Sequence, residues 1–319
     1  MLTAVFLDAD SMGADLDFAA LNVEGVELIC WPQTPPGETA ARLKGATVAI
    51  TNKVVIDRAV MQACPDLRLI CVTATGMNNI DLEAAEASGI QVLNVTHYGT
   101  AAVVQHAVTL MLALSTRLVD YVADVRAGAW QQAEQFCLMH HPVQEVAGKT
   151  LAIVGYGDLG QRMAQVCQAL GMHVIVAARP GQVAGRRNGV TYVPWNDALG
   201  QADVLSLHCL LSPQTERMIN AEALARMKNG ALLINTARGG LVDEPALLEA
   251  LESGHLGGAG LDVLSEEPPR RGNVLLEANL PNLLITPHCA WVSKEARQRI
   301  IDRTGENLRA GLRQLGLRT

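Results

Sequence analysis

A chain of 319 residues with 49% hydrophobic and 18% charged side chains can bury two cores, and its length argues for two domains. The net charge of −7, with no basic tract beyond Arg186-Arg187 and Arg270-Arg271, excludes nucleic-acid and anionic-membrane partners, and 3% aromatics leave no platform for stacking single strands. Seven cysteines without a CxxC pair fit neither a disulfide scaffold nor a Cys-rich zinc site, so no metal is expected and a reducing cytoplasm is.

The N-terminus, MLTAVFLDAD, lacks a basic leader region and reads as a first strand. Every apolar stretch is broken by charge or glycine well before the ~20 residues of a membrane span. Strands are expected at 4–8 (AVFLD), 46–51 (ATVAIT), 67–74 (LRLICVTA) and 90–95 (IQVLNV), with amphipathic segments such as DRAVMQAC between them. That alternation predicts an α/β domain with a parallel sheet. A helical pattern then runs from Thr100 to about Val125 without Gly or Pro and ends at Ala127-Gly128, long enough to span two domains. A looser stretch, WQQAEQFCLMHHPVQEVAGKT, follows.

At 151–160 the sequence LAIVGYGDLG places an apolar strand before Gly155-x-Gly157-x-x-Gly160 and a helical segment, and a second apolar run (172–178) follows at βαβ spacing. This is the order a dinucleotide pyrophosphate needs: Gly155 for the turn, Gly157 for close approach of backbone to phosphate, Gly160 for helix–strand packing, and a helix N-terminus for the anion. Further units follow at VTYVP, ADVLSLHCLL, GALLINTARGG, GGAGLDVL and NLLITPH, then an amphipathic helix capped by Ser293. The pattern predicts two Rossmann-like domains with parallel sheets and an active-site cleft between them. A discontinuous substrate domain would comprise 1–98 plus 290–319, and a dinucleotide-binding domain 99–289.

Three ionisable residues sit just past strand-like runs, where open parallel sheets bind ligands. They are Arg238 after ALLINTA, Glu267 beyond GGAGLDV, and His288 after NLLITP. An Arg, a carboxylate and a His there suit hydride transfer to a 2-oxo acid. The guanidinium would hold the carboxylate and polarise the carbonyl, the imidazole would exchange a proton with the oxygen, and the glutamate would orient the imidazole and favour its charged form. Singly, each also reads as a loop salt bridge, a solvated turn residue or a cap. Cys289, beside His288, reads as a small packing residue more readily than as a nucleophile.

TARGG (236–240), LDVLSEEPP (261–269) and TPHCAW (286–291), downstream of GYGDLG, resemble the D-2-hydroxyacid dehydrogenase family over nearly the whole chain. QFCLMHHPVQEVAGKTLAIVGYG is similar to its glycerate dehydrogenase/hydroxypyruvate reductase branch, and TATGMNNID (73–81) to its substrate-carboxylate loop. The resemblance implies Arg238 as substrate-binding residue, His288 as acid/base and Glu267 as its partner, preferred to Glu266 because it directly precedes Pro268. It further implies substrate binding by the amides of Gly76 and Met77. Cofactor binding would fall to Gly155, Tyr156, Gly157, Asp158, Leu159, Gly160, Thr100 and Thr236, with Asp262 on the nicotinamide carboxamide. A homodimer through the 100–126 helix and its neighbouring segment is implied too.

Three departures stand out. Gln105 precedes His106 where many relatives have Glu-His, which makes His106 a packing residue; Leu210 replaces a frequent Pro. Ala178, followed by Arg179, stands about 20 residues past the glycines, where an NAD enzyme carries its ribose-binding acid. NADP(H) is therefore expected in preference to NAD(H), with Arg186 or Arg187 adding charge from the following loop. The expected activity is reversible reduction of small 2-oxo acids such as hydroxypyruvate and glyoxylate. The alternatives are a dinucleotide-sensing corepressor of the carboxy-terminal-binding kind and a dehydrogenase of another substrate class, such as phosphoglycerate, formate or phosphite.

Overall fold

The computed structural model describes residues 1–317. They divide into two compact units, one comprising Met1–Gly99 with the C-terminal residues from Val292 onward, the other Thr100–Trp291.

The first unit is built on a five-stranded parallel sheet of β1 (Leu2–Phe6), β2 (Val26–Cys30), β3 (Val48–Thr51), β4 (Leu69–Val72) and β5 (Gln91–Asn94), ordered β2-β1-β3-β4-β5. The inner strands VAIT and LICV are buried at every position, as a parallel sheet covered on both faces requires. β2 escapes sequence reading because VELIC lies at the sheet edge, where no residue is fully buried and a charge interrupts the run. The C-terminal helix Lys294–Gln314 is capped by Ser293, whose Oγ accepts from the Ala296 amide at 3.2 Å. It buries Ile300, Ile301, Leu308 and Leu312 and packs on β4, β5 and the turn Ala19–Leu21.

The second unit carries eight strands. They are β6 (Thr150–Val154), β7 (His173–Ala177), β8 (Gly185–Arg187), β9 (Val190–Val193), β10 (Val204–Leu207), β11 (Ala231–Asn235), β12 (Leu256–Leu261) and β13 (Leu283–Ile285). Their order is β13-β12-β11-β10-β6-β7-β9-β8, parallel except for β8, which runs antiparallel to β9. Strand order reverses between β6 and β10, and the crevice at the carboxyl ends of such strands is where open α/β sheets bind ligands.

The single helix expected over 100–125 is two, α1 (Thr100–Ser115) and α2 (Leu118–Arg126), bent by 62°. Ser115 and Thr116 donate their hydroxyls back to the carbonyls of Met111 (2.8 Å) and Leu112 (2.7 Å), which weakens the helical ladder, and Arg117 takes a left-handed conformation with φ +53°. α1 belongs to the second unit. Its buried residues, among them Val104, Ala107, Leu110, Met111 and Leu114, complete the core formed by β6 and α3 (Asp158–Ala169) within this unit. Leu118, just past the bend, is turned outward and exposed. Among the described residues no single helix is long and apolar enough to cross a membrane.

Candidate active site

The glycine turn after β6 packs directly on the end of β10. Gly155 has φ +94°, and a Cβ there would meet the His208 carbonyl at 2.6 Å; one on Gly160 would overlap the Gly155 carbonyl oxygen. Gly157 instead faces open space and is the N-cap of α3, where it brings no side chain of its own. The positive end of the helix dipole at this turn suits an anion. Two buried polar atoms at neighbouring strand ends, Thr236 Oγ1 and His208 Nδ1, have no protein partner among the described residues. Burial pushes the His208 pKa down to about 4, so it stands there as a neutral imidazole, 2.9 Å from Ser206 Oγ through Nε2. Orphaned hydrogen-bonding groups beside a glycine-lined anion site fit a dinucleotide.

At the end of β7, Ala178 is followed by Arg179, whose side chain is exposed and whose amide donates to Gln182 Oε1 at 3.0 Å. Arg186 and Arg187 lie in β8, not in the expected loop. Arg187 is already engaged, since it donates to the Val183 carbonyl and its guanidinium lies 5.2 Å from the centre of the Tyr192 ring.

Arg238, Glu267 and His288 follow β11, β12 and β13, three adjacent parallel strands, so all three emerge at one edge of the sheet. Asn235, fully buried at the end of β11, shapes the first loop: its Oδ1 accepts from the Ala237 amide (3.0 Å) and its Nδ2 donates to the Arg238 carbonyl (2.9 Å). Gly239 lets this loop lie on the backbone of Leu264 and Ser265, which any Cβ there would overlap. The second loop is tied at both ends, because Glu244 accepts from the Ser265 amide and hydroxyl (2.8 Å each) and Glu267 Oε1 accepts from the Leu264 amide (2.9 Å). Glu267 Oε2 lies 2.6 Å from His288 Nδ1, whereas Glu266 pairs with Arg271 at 2.8 Å. Burial opposes ionisation of Glu267. The hydrogen bonds from His288 and Leu264, with the charges of His288 and Arg238, outweigh it and hold the carboxyl below the ordinary glutamate range.

His288 itself adopts a left-handed conformation, φ +52°, unusual for a side-chain-bearing residue. Asp262, only 1% exposed at the end of β12, imposes it. Its carbonyl accepts from the His288 amide (2.8 Å), and its side chain accepts from Thr286 Oγ1 (2.5 Å) and the amides of Cys289 (2.9 Å) and Ala290 (2.8 Å). His106, expected only to pack, sits 2.8 Å from Thr286 Oγ1 through Nε2 and so joins α1 to this turn. Burial, reinforced by the charge of Asp262, pushes the Cys289 thiol pKa up, which leaves little thiolate for a nucleophilic role.

Comparison with known proteins decides the family. Residues 108–290 match the D-isomer specific 2-hydroxyacid dehydrogenase, NAD binding domain. The chain is 45% identical to a glycerate dehydrogenase of Methylorubrum extorquens, over 96% of this chain and 95% of that protein. The chain belongs to the D-2-hydroxyacid dehydrogenases. It is 38% identical to a hydroxypyruvate reductase of Blautia hydrogenotrophica, over 92% of this chain and 91% of that one. A solved acyclic imino acid reductase, Bsp5, in complex with NADPH and D-Arg, superposes with a TM-score of 0.85 at 26% identity, covering 98% of this chain and 98% of its own.

As a D-2-hydroxyacid dehydrogenase the protein is an oxidoreductase that interconverts 2-oxo and 2-hydroxy acids with a nicotinamide dinucleotide. Sequence reading named the three ionisable residues but missed Asn235, Glu244 and Thr286, the polar residues that fix their loops. A buried polar residue closing an apolar run, as Asn235 does in ALLIN, was the available signal. Gly76 and Met77 belong to the first unit, in a loop held at the end of β5 by Asn94 Nδ2 donating to the Thr75 carbonyl (2.7 Å) and Thr75 Oγ1 to the Val95 carbonyl (3.0 Å). Thr100 opens α1.

The Glu267–His288 contact persists well to the acid side of neutrality. Glu267 is ionised throughout the neutral range, because its carboxyl is held below the ordinary glutamate value. Glu267→Gln removes the carboxylate that holds His288 Nδ1, so turnover in 2-oxo acid reduction at neutral pH should fall while cofactor binding stays near wild type. Turnover unchanged from wild type, measured at saturating cofactor, would show that Glu267 does not position the imidazole.

Proposed function

We propose that the enzyme reduces small polar 2-oxo acids, hydroxypyruvate and glyoxylate, to D-2-hydroxy acids, with His288 as the proton donor. The observation that carries this reading is the 2.6 Å contact of His288 Nδ1 with Glu267, on the loop beside that of Arg238. When bound, the reduced dinucleotide supplies hydride to the carbonyl carbon. With Nδ1 held by the glutamate, His288 Nε2 is the nitrogen left to give a proton to the carbonyl oxygen, and it takes one back in the reverse direction. Arg238 meets the substrate's carboxylate and carbonyl oxygen with its planar fork, which a lysine could not reproduce. The amides of Gly76 and Met77 bind the same carboxylate. Asp262 serves the nicotinamide carboxamide in addition to holding its turn, and Thr100 and Thr236 line the cofactor. The names of the glycerate dehydrogenase and hydroxypyruvate reductase relatives support this substrate class. His288→Ala should lower hydroxypyruvate turnover by ~100-fold or more with cofactor binding nearly intact. Near wild-type turnover at neutral pH would refute the role, and a wild-type enzyme inactive on both acids would refute the substrate class.

The cofactor is NADP(H) in preference to NAD(H). Ala178 removes the carboxylate that would bind a ribose 2′-hydroxyl and repel a 2′-phosphate, and the exposed guanidinium of Arg179 follows it. Arg186, exposed on β8, adds a second charge, while Arg187 is partly occupied by Tyr192. A charge-assisted contact is worth ~1.5–3 kcal/mol, or roughly 10- to 150-fold in specificity. Arg179→Ala should erase most of that preference, and adding Ala178→Asp to it should invert the preference. Equal specificity constants of the wild type for NADPH and NADH would show that Arg179 does not read the phosphate.

The protein is a homodimer through α2 and the segment after it. Leu118, Val119, Val122 and Val125 are exposed on α2, and Phe136 (88%) and Met139 (76%) stand out beside them, an apolar surface suited to a second copy. A monomer mass from solution scattering across micromolar concentrations would contradict it. All seven cysteines are free, which suits the cytoplasm.

A further inference from the structure

The segment after α2 brings two adjacent histidines onto one carboxylate. His140 Nε2 and His141 Nε2 lie 2.8 Å and 2.7 Å from the same oxygen, Oδ2 of Asp124, across 16 and 17 residues of chain. Aromatic packing fixes the rings in this pose. Tyr121, one turn before Asp124 on α2, meets His141 edge-on with centroids 4.8 Å apart and His140 at 5.9 Å, and the two imidazoles lie 4.3 Å from each other. One nitrogen from each imidazole and one oxygen from the carboxylate thus converge within 4.8 Å of one another. Nothing in the reaction of the enzyme uses these three residues.

We propose that Asp124, His140 and His141 form a binding site for a divalent transition-metal ion of the zinc class. Two imidazoles with a carboxylate are borderline ligands that suit Zn²⁺, Co²⁺ or Ni²⁺ over Mg²⁺ or Ca²⁺, which take oxygen. Each imidazole now reaches Oδ2 through an Nε2–H. With that proton on Nδ1, the same nitrogen offers a lone pair to the centre of the group. Nitrogen and oxygen ligands across a tetrahedral zinc stand about 3.4 Å apart, so the cluster must open by only ~0.6 Å. The side chains have room for this, at 50% exposure for His140, and the open side leaves a fourth position for water. A second group of possible ligands among the described residues, His106, Asp262 and Cys289, differs in kind, because Asp262 is held by backbone amides that cannot withdraw. At Asp124 the groups that now contact the carboxylate are themselves the ligands. A bound ion would tie α2 to the connecting segment and stabilise the folded chain by mass action.

The test uses the full-length enzyme stripped with EDTA and then dialysed against Zn²⁺ or Co²⁺. One equivalent of Zn²⁺ should bind with micromolar affinity and raise the unfolding midpoint, and Co²⁺ should give a visible band without a near-ultraviolet thiolate transition. Asp124→Asn and His141→Ala should each weaken Zn²⁺ binding by about tenfold or more, with hydroxypyruvate turnover in metal-free buffer unchanged, which shows that the variants are folded. Cys30→Ser and Cys289→Ala should bind Zn²⁺ as the wild type does. Absence of Zn²⁺ uptake by the wild type at ~100 µM, a thiolate–cobalt transition, or full uptake by the combined Asp124→Asn, His140→Ala, His141→Ala variant would each overturn the proposal.

Discussion

The buried carboxylate of Asp262 is the constraint on which the edge carrying Arg238, Glu267 and His288 depends. Removing a carboxylate from water costs several kcal/mol unless hydrogen bonds replace its hydration, and here the donors are Thr286 and two amides of the turn carrying His288. The carboxylate is satisfied only if the chain folds back at that point, and folding back puts His288 at positive φ, a conformation costing about 1–2 kcal/mol outside glycine. The unfavourable backbone is stable because the alternative is an unpaired buried charge. His106 extends the network to α1, so the helix that fills the core of this unit also braces the turn carrying His288.

From that turn the geometry is handed from loop to loop. His288 reaches Glu267, Glu267 holds the Leu264 amide, Leu264 lies on Gly239, and Asn235 fixes the carbonyl of Arg238. Three adjacent parallel strands supply these loops, and a parallel register is what brings their carboxyl ends to one edge. The electrostatics follow from the same arrangement. Glu267 is flanked by His288 and Arg238, so it stays ionised, while His208, buried without a charged partner, stays neutral beside the glycine turn.

Much of this was legible in the chain. The inner strands read plainly because a parallel sheet covered on both faces demands unbroken apolar runs. The glycine spacing placed the turn between β6 and α3, and the positions just past ALLINTA, GGAGLDV and NLLITP placed the three ionisable groups at strand ends. β2 and β8 did not read, since edge strands face solvent and carry charge, and GRR in β8 has no apolar residue at all. The break between α1 and α2 was hidden as well. Neither Gly nor Pro marks it, and the Ser-Thr pair that unwinds the ladder is unremarkable in a helix until its hydroxyls turn inward.

The sequence by itself determined the chemistry available to this protein: a glycine turn between strand and helix, an Arg, a Glu and a His after successive strands, and an Ala-Arg pair where an acid commonly stands. Those follow from local spacing, and spacing along a strand or helix converts directly into position. Only the tertiary structure decided which glutamate meets His288, that Asp262 must be buried beneath the turn, that Arg187 is engaged by Tyr192, and that two histidines meet Asp124. Each of these is a contact between separate elements, from the paired strands β8 and β9 to segments far apart in sequence, and its distance is set by how those elements pack or pair, which no local pattern encodes.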